Sequence, residues 1–371
     1  MTQEYNFIRE VREQPDAIRR TLEQADAPLR RMAESYAGAI DRIILAGCGD
    51  PYMMSIAGAY AFEMWAGIPA DPIEAAELIL YRHPVINART LLILSSSSGR
   101  SIRVVDAVKL AAARGAKSFA LVNVAPSPLA EACNVVIQTQ AGPSNAYPSK
   151  TTTAGLAVLH ALALHMAELS GSLPVEQVSA LRKELYEDVP RRIEEALRLE
   201  DDMRALANQH LKAPMYTYIG SGPNLGTAML NAAKMGETSQ SLSRSTNLEE
   251  FSHLHGYTIM PDEPIFMISR PGDTGERSRA IAQNIRLNKG KPIAIGLEAE
   301  RAAWQDHADT FIGVPDHSEM FGPLVAWIPL QMFAYYIGVG KGRNPDKPDR
   351  VGSDTIQQII YGGMLPGYDK R

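Results

Sequence analysis

An internal repeat limits the folds open to this chain more than any other feature of its sequence. A short apolar run, a Gly-x-Gly turn and a helix-like stretch occur at Arg42–Met64 and again at Met215–Glu237. Farther along, Leu91–Leu121 and Ile265–Gly296 share the pattern strand, polar loop, helix, small turn and strand. Such a chain is expected to fold as one unit used twice.

The alternation of short apolar strands with helices predicts parallel sheets covered by helices on both faces. We therefore predict an α/β fold of two tandem, doubly wound parallel-sheet domains (αβα sandwiches). The predicted boundaries are an N-terminal helix at 1–28, the first domain at 29–171, a helical connector at 172–203, the second domain at 204–345 and a tail at 346–371.

Two segments differ from the rest of the chain in their charge content. Val175–Ala207 is charged and has helical spacing, so we predict a connector that packs on one face and breaks near Pro190. Met320–Gly340 carries no charged residue, and about 20 such residues could cross a bilayer. Because this run contains Pro323 and Pro329, we predict a buried strand, turn and helix, and no membrane span.

Composition narrows the function classes. The 371 residues include 37 basic and 42 acidic side chains, a net charge of −5, whereas a nucleic-acid-binding protein normally carries a basic excess. Two cysteines, Cys48 and Cys133, cannot build a disulfide framework. Charges interrupt Met1–Gln14 before any apolar run, unlike a signal peptide. A cytoplasmic protein is the expectation.

A serine-rich loop follows the apolar strand of the first repeat, and a helix starts near Ile102. Hydroxyl groups, free backbone N–H groups and a helix N-terminus together suit a phosphate or another tetrahedral oxyanion. Helix capping also favours serine, but five serines in seven residues exceed what a cap needs. We predict an anion site here, with Arg100 either adding a contact or pointing into solvent; its residues are Ser96, Ser97, Ser98, Gly99, Arg100 and Ser101.

A second polar cluster starts with Ser149 and Lys150 and precedes the apolar helix Ala154–Leu169. It either caps that helix or lines the same pocket as the serine loop. Sequence alone leaves both interpretations open.

The second repeat places ionisable residues where the first has apolar ones. At the repeat offset, Glu237 takes the place of Met64 and His253 that of Leu80. A partly buried Glu can carry a proton between adjacent carbons, and a His can protonate a ring oxygen. The alternative is a structural Glu paired with Lys234 and a buried His. His253 and His255 alone are weak metal ligands, so neither a metal nor another cofactor is expected.

Five segments of this sequence follow one another in the order of a known family: Phe7–Leu22, Gly47-Cys48-Gly49, Ser96–Ser101, Ser149-Lys150-Thr151 and Asn344–Pro348. They resemble the isomerase part of glucosamine-6-phosphate synthase, which is a tandem SIS (sugar isomerase) protein. The chain also resembles the related fructosamine-phosphate deglycases. The resemblance covers nearly the whole chain. It does not include the glutaminase part of the synthase, so we do not expect ammonia production from glutamine.

The resemblance implies roles for individual residues. Glu237, on the helix that also carries Lys234, would move the proton between C1 and C2. His253 would open the sugar ring in the site of a neighbouring subunit, which implies a homodimer; His255 competes for this role because Gly256 follows it. The residues implied to contact the substrate are the serine loop, Cys48, Gly49, Asp50, Ser149 and Lys150.

This sequence departs from the family pattern at three places. Asp50-Pro51 replaces a pair of hydroxyl residues, and Ser144 and Asn145 lie where an acidic residue usually precedes the Ser-Lys turn. The C-terminal lysine of the synthase aligns with Gly352. The related deglycases do not depend on that lysine.

The leading hypothesis is an aldose–ketose isomerase that acts on a phosphorylated or sulfonated hexose through a cis-enediol. A deglycase that splits a phosphorylated fructosamine would use the same residues. A sugar-phosphate sensor without catalysis is the third possibility, although a sensor would not need the Glu and His gained in the second repeat.

Overall fold

The computed structural model describes residues 4–349, so Gly352 and most of the predicted tail lie outside the described residues. The first half contains α1 (Asn6–Arg12), α2 (Gln14–Tyr36), β1 (Arg42–Gly47), α3 (Asp50–Ala61), β2 (Ala70–Glu74), α4 (Ala75–Glu77), β3 (Thr90–Ser96), α5 (Ile102–Ala113), β4 (Lys117–Val122), α6 (Pro128–Ala132), β5 (Val135–Gln138) and α7 (Lys150–Ser170).

Three connector helices then lead into the second half. They are α8 (Val175–Lys183), α9 (Val189–Leu197) and α10 (Glu200–Gln209). The second half contains β6 (Tyr216–Gly220), α11 (Asn224–Ser239), β7 (Ser243–Thr246), α12 (Leu248–His253), β8 (Pro264–Ile268), α13 (Asp273–Leu287), β9 (Lys291–Leu297), α14 (Arg301–Trp304), β10 (Thr310–Val314) and α15 (Gly322–Gly340).

The strands form two parallel five-stranded sheets with the same internal order. The first sheet runs β2-β1-β3-β4-β5, and the second runs β7-β6-β8-β9-β10. Central strands such as β3 are buried along their whole length because helices cover both faces of the sheet. The predicted α/β fold of two doubly wound halves is confirmed, whereas the domain boundaries remain predictions.

The two Gly-x-Gly turns meet the same conformational requirements. A Cβ added at Gly47 or Gly220 would lie 2.6 Å or 2.1 Å, respectively, from the nearest atom of the helix that follows. Gly49 and Gly222 adopt φ angles of +63° and +56°, a region that L side chains disfavour. The repeated glycines therefore reflect a tight strand-to-helix turn in each half.

The two halves share one apolar core. It joins α2, α3 and α7 of the first half to α11 and α15 of the second. Helices α3 and α11 occupy equivalent places in the repeat and pack directly on each other. At their crossing, a Cβ on Gly226 would lie 2.7 Å from the carbonyl oxygen of Met53 and 2.9 Å from the Cβ of Ala57. This close approach fixes the relative position of the two repeats.

The predicted connector break near Pro190 is wrong. A π-helical turn, Glu184–Asp188, carries the chain from α8 into α9, and the helix ends at Leu197. Pro190 lies in the first turn of α9, where a missing backbone N–H is tolerated.

The predicted strand within Met320–Gly340 is also wrong. A short turn leads into the single helix α15, in which Pro329 is internal. A continuous apolar run does not distinguish a buried strand from a buried helix, which explains the error. Two helices, Lys150–Ser170 and Glu319–Gly340, are long and apolar enough to cross a membrane; 89% and 94% of their most apolar windows are buried within the protein. That burial is typical of core helices in a soluble protein.

Candidate active site

The serine loop leaves β3 at the carboxyl edge of the first sheet. Its turn requires Gly99, because φ there is +65° and an added Cβ would lie 2.1 Å from the Oγ of Ser127. The Ser97 hydroxyl donates a 3.3 Å hydrogen bond to the Oγ1 of Thr151 in the first turn of α7. The loop is thereby held against the N-terminus of a second helix.

A small pocket lies between this loop and the start of α7. The hydroxyl of Ser95 on its wall is buried and has no partner among residues 4–349. Hydroxyl and amide side chains beside a helix N-terminus form a suitable setting for an oxyanion. The pocket is lined by Pro51, Met54, Ser95, Ser96, Ser97, Leu121, Val122, Asn123, Thr139, Thr151, Thr152 and Gly155.

Other predicted anion-site residues lie beside the pocket lining. The Ser98 Oγ accepts a 3.3 Å bond from the backbone N–H of Arg100, whose side chain is exposed. Lys150 is buried but turns away from the loop, and its Nζ donates to the Oε2 of Glu13 at 2.6 Å. Ser149 is fully buried. Its carbonyl accepts the first backbone bonds of α7, so it acts locally as the helix N-cap.

Cys48 is half-buried in the first Gly-x-Gly turn, next to the exposed Gly49. Its thiol donates to the Oε1 of Glu74 at 3.0 Å, while the hydroxyl of Ser101 donates to the sulfur at 3.7 Å. Burial, together with the hydrogen bond to Glu74, raises the pKa of Cys48 to about 11. A protonated thiol is a poor nucleophile, so Cys48 fits a packing or binding role.

Glu237 belongs to an ionic cluster at the contact between α3 and α11. The Nζ of Lys234 lies 2.6 Å from the Oε2 of Glu237 and 2.6 Å from the Oδ2 of Asp50. Burial opposes the charge of Lys234, but Asp50 and Glu237 outweigh it and raise its pKa. For Glu237, burial raises the pKa to about 7; Lys234 opposes this shift and Asp50 adds to it. Glu237 can therefore gain or lose a proton near neutral pH.

Hydrogen bonds connect the serine loop to this cluster. Thr151 holds Ser97, and the neighbouring Thr152 donates to the Oδ2 of Asp50 at 3.4 Å. Asp50 in turn contacts Lys234. The predicted anion loop and the predicted proton-transfer residue are thus linked through the first turn of α7 and Asp50, although they come from different repeats.

The two histidines lie apart from this cluster within the chain. His253 ends α12 with an exposed side chain, and no hydrogen bond or ion pair within residues 4–349 joins it to Glu237. His255 lies in the next turn, where its Nδ1 is 3.4 Å from an Nη1 of Arg244. Burial, reinforced by Arg244, lowers the pKa of His255. Which histidine takes part in catalysis stays a prediction.

Sequence reasoning left out several pocket residues. Asn123 directly follows β4, and parallel sheets place ligands at the carboxyl ends of their strands, so this rule would have found it. Thr139 follows β5 in the same way. Ser127 does not line the pocket but packs under Gly99; it offered no sequence signal, because its place depends on how the loop after β4 folds back.

Comparisons with known proteins agree with this architecture. Residues 39–165 match the SIS domain family, so the first repeat is a SIS domain. The second repeat has the same strand order, and the chain is thus built from two SIS-like halves. Such folds consist of a parallel sheet with helices on both faces.

The sequence similarity extends to larger proteins. The chain is 31% identical over 349 residues to the isomerizing glutamine–fructose-6-phosphate aminotransferase of Methanothermobacter thermautotrophicus, a match that covers 93% of this chain and 56% of the relative. The chain therefore spans about half the length of such relatives.

Two solved structures have the same fold. The C-terminal domain of glucosamine-fructose-6-phosphate aminotransferase from Francisella tularensis superposes with a TM-score of 0.87 at 22% identity, covering 94% of this chain and 99% of that chain. The tagatose-6-phosphate ketose/aldose isomerase of Escherichia coli gives 0.76 at 18% identity, covering 93% and 95%.

Proposed function

We propose that this protein is an enzyme, an aldose–ketose isomerase that acts on a phosphorylated or sulfonated hexose. The observation that supports this most directly is the series of contacts from the serine loop through Thr151, Thr152 and Asp50 to Lys234 and Glu237. A pocket lined by hydroxyl groups at one end of this series and a carboxyl group whose pKa is raised to about 7 at the other are what an isomerase of an anionic sugar would need. The named relatives act on related sugar phosphates, which favours the same substrate class here.

The proposed reaction moves one proton between adjacent carbons. In the ring-opened aldose, the Glu237 carboxylate takes the proton from C2 and the electron pair forms the C1–C2 double bond. The oxygen on C1 gains a proton from water, which gives the cis-enediol. Glu237 then returns its proton to C1 while the hydroxyl on C2 gives its own proton back to water, and the ketose results. A carboxyl group with a pKa near 7 suits both halves of this exchange.

The ring-opening histidine is proposed to come from a second copy of the chain. His253 is exposed and separate from Glu237 within one chain, which is compatible with a homodimer that shares its sites.

The proposed location is the cytoplasm. Both cysteines are free, which is compatible with a reducing compartment.

The Glu237→Gln variant tests the mechanism. We expect kcat to fall by about 10²- to 10⁴-fold, because the amide cannot carry the proton, while calorimetry shows sugar-phosphate binding retained. Glu249→Gln is the matched control, since Glu249 forms an exposed ion pair with Arg277. Normal turnover by Glu237→Gln would contradict the mechanism.

A deglycase is the second candidate, and Asp50 is the observation that favours it. Two carboxylates share one ammonium group in the cluster, and this excess negative charge suits a substrate with a protonated amine. A thermal-shift screen of sugar phosphates, sulfonated sugars and Amadori phosphates would identify ligands. Release of an amino acid from an Amadori phosphate would then indicate a deglycase, and interconversion of aldose and ketose an isomerase. Binding without any product would indicate a sensor.

A further inference from the structure

Asp50 and Glu237 contact the same ammonium group from different depths. The Nζ of Lys234 is 2.6 Å from each carboxylate, and the lysine side chain is fully buried. The Asp50 side chain is 5% exposed, against 27% for Glu237. Asp50 therefore lies on the inner side of Lys234, and Glu237 lies on the side that a substrate can reach.

The repeat shows that this cluster is not a general feature of the helix contact. At the repeat offset, Asp50 corresponds to Pro223. Lys234 and Glu237 correspond to Ala61 and to Met64, whose side chain is exposed. The symmetry-related place thus has no ionisable group at any of the three positions. One member of the cluster comes from the first repeat and two come from the second.

Stability alone does not account for this arrangement. Placing two carboxylates around one buried ammonium leaves a net negative charge largely out of water, which costs stability. Clusters of this kind are typical of sites where proton affinity matters. We propose that Asp50 is a positioning residue that shares the charge of Lys234 with Glu237 and thereby tunes the proton-transfer group. The proposal rests on the proposed role of Glu237.

Among residues 4–349, few other ionisable groups lie on the elements packed against the helix of Glu237. Helix α15, which packs along α11, has no charged side chain. Arg244 on β7 is paired with Glu263 at 3.0 Å. The remaining ionisable groups of the elements packed on α11 are tyrosines: Tyr52 and Tyr60 of α3, Tyr216 and Tyr218 of β6, and Tyr335 and Tyr336 of α15.

The Asp50→Asn variant separates charge from shape. The amide oxygen can still accept a hydrogen bond from Lys234, but the second negative charge is gone. Glu237 then has the lysine charge to itself, so we expect its titration to move to lower pH by about one to two units. Lys234→Met should move the titration in the opposite direction. Asp71→Asn is the matched control, because Asp71 pairs with Arg42 on the edge of the first sheet.

Two measurements report the effect. The acidic limb of the pH profile of kcat/KM should move with the titration of Glu237, and a purely structural defect would not move it. A ¹³C NMR titration of the Glu237 carboxyl carbon, assigned with Glu237→Gln, gives the same quantity without turnover.

The two proposals can fail separately. An unchanged Glu237 titration in a folded Asp50→Asn protein would overturn the role of Asp50. If Asp50→Asn does not fold, the absence of an upward shift in Lys234→Met would overturn it, because Lys234 would then not transmit charge. Full turnover by Glu237→Gln would instead refute the proposed function and leave the NMR result valid.

Discussion

The two repeats keep the same backbone but differ in the loop that follows their third strand in the sheet order. Gly99 and Gly272 occupy equivalent turns, with φ angles of +65° and +83°. The first loop presents serine hydroxyls to an open pocket. The second places Arg270, with an Nη1 3.3 Å from the Nδ1 of His317 and 3.4 Å from its carbonyl oxygen. The repeated fold therefore sets where a loop lies, and the side chains decide what it can bind.

The second loop has a polar partner, His317, which follows β10 in the same half. Burial, reinforced by the charge of Arg270, lowers the pKa of His317 to about 4, so this imidazole is neutral at physiological pH. The Arg270 guanidinium is occupied by His317. In the second repeat the side chain of Arg270 contacts His317, whereas in the first repeat the Ser95 hydroxyl on the pocket wall lies buried without a partner among residues 4–349.

Lys234→Met should have the largest effect on stability, because it removes the ion pair between Lys234 of the second repeat and Asp50 of the first. Removing the ammonium leaves two buried carboxylates unpaired, so we expect the free energy of unfolding to drop by about 3–5 kcal/mol at pH 8. Lys150→Met is the control within the first repeat; its partner Glu13 is half exposed, so a loss below about 2 kcal/mol is expected. Chemical denaturation measures both.

The pH dependence of Lys234→Met has a definite sign. Without the lysine, which lowers the pKa of Glu237, the folded-state pKa of Glu237 rises further above its unfolded value, so the folded protein binds more protons. Stability of the variant should therefore rise as pH falls from about 8 to about 5. A deficit that is constant across this range would contradict the assignment of unpaired carboxylates.

Alanine at Gly99 and at Gly272 compares the two loops directly. Both substitutions force a side chain into positive φ, at a cost of about 1–2 kcal/mol. Gly99→Ala also drives its Cβ into Ser127, while Gly272→Ala meets no atom within 4 Å. The larger loss in urea unfolding is expected for Gly99→Ala, together with weaker anion binding. Equal losses would mean that Ser127 moves aside freely.

Serine-to-alanine substitutions should give the smallest effect and sharpen the functional contrast. Ser97→Ala removes the hydroxyl that bonds Thr151, so phosphate affinity should fall about 2- to 10-fold. Ser269→Ala, at the end of β8 in the second repeat, should leave affinity unchanged. Titration calorimetry with a hexose phosphate compares them, and equal losses would place the anion elsewhere.

Much of the fold could be predicted because the repeat is visible in the sequence. The Gly-x-Gly turns, the serine loop and the helix at Ile102 all follow from local residue patterns. α15 could not be predicted as one helix, because a uniformly apolar run has no period. The opposite orientations of Lys150 and Thr151 depend on α2 packing against α7.

The link between the repeats was harder to foresee. Asp50 lies 184 residues before Lys234, and nothing in either local pattern pairs them. Their contact depends on the packing of α3 against α11, which is a tertiary property. Repeat offsets reveal which positions are equivalent within each half but do not report which positions touch across halves.

The crossing at Gly226 has a consequence for the reaction. Gly226 and Lys234 are on the same helix, about 12 Å apart along its axis, and Met53 lies one turn beyond Asp50 on the facing helix. A bulkier residue at 226 would push α3 away from α11 and so separate the Asp50 carboxylate from the Lys234 ammonium. Gly226 has no side chain and takes no part in the chemistry, yet it sets the distance between the two helices on which the acid–base behaviour of the protein depends.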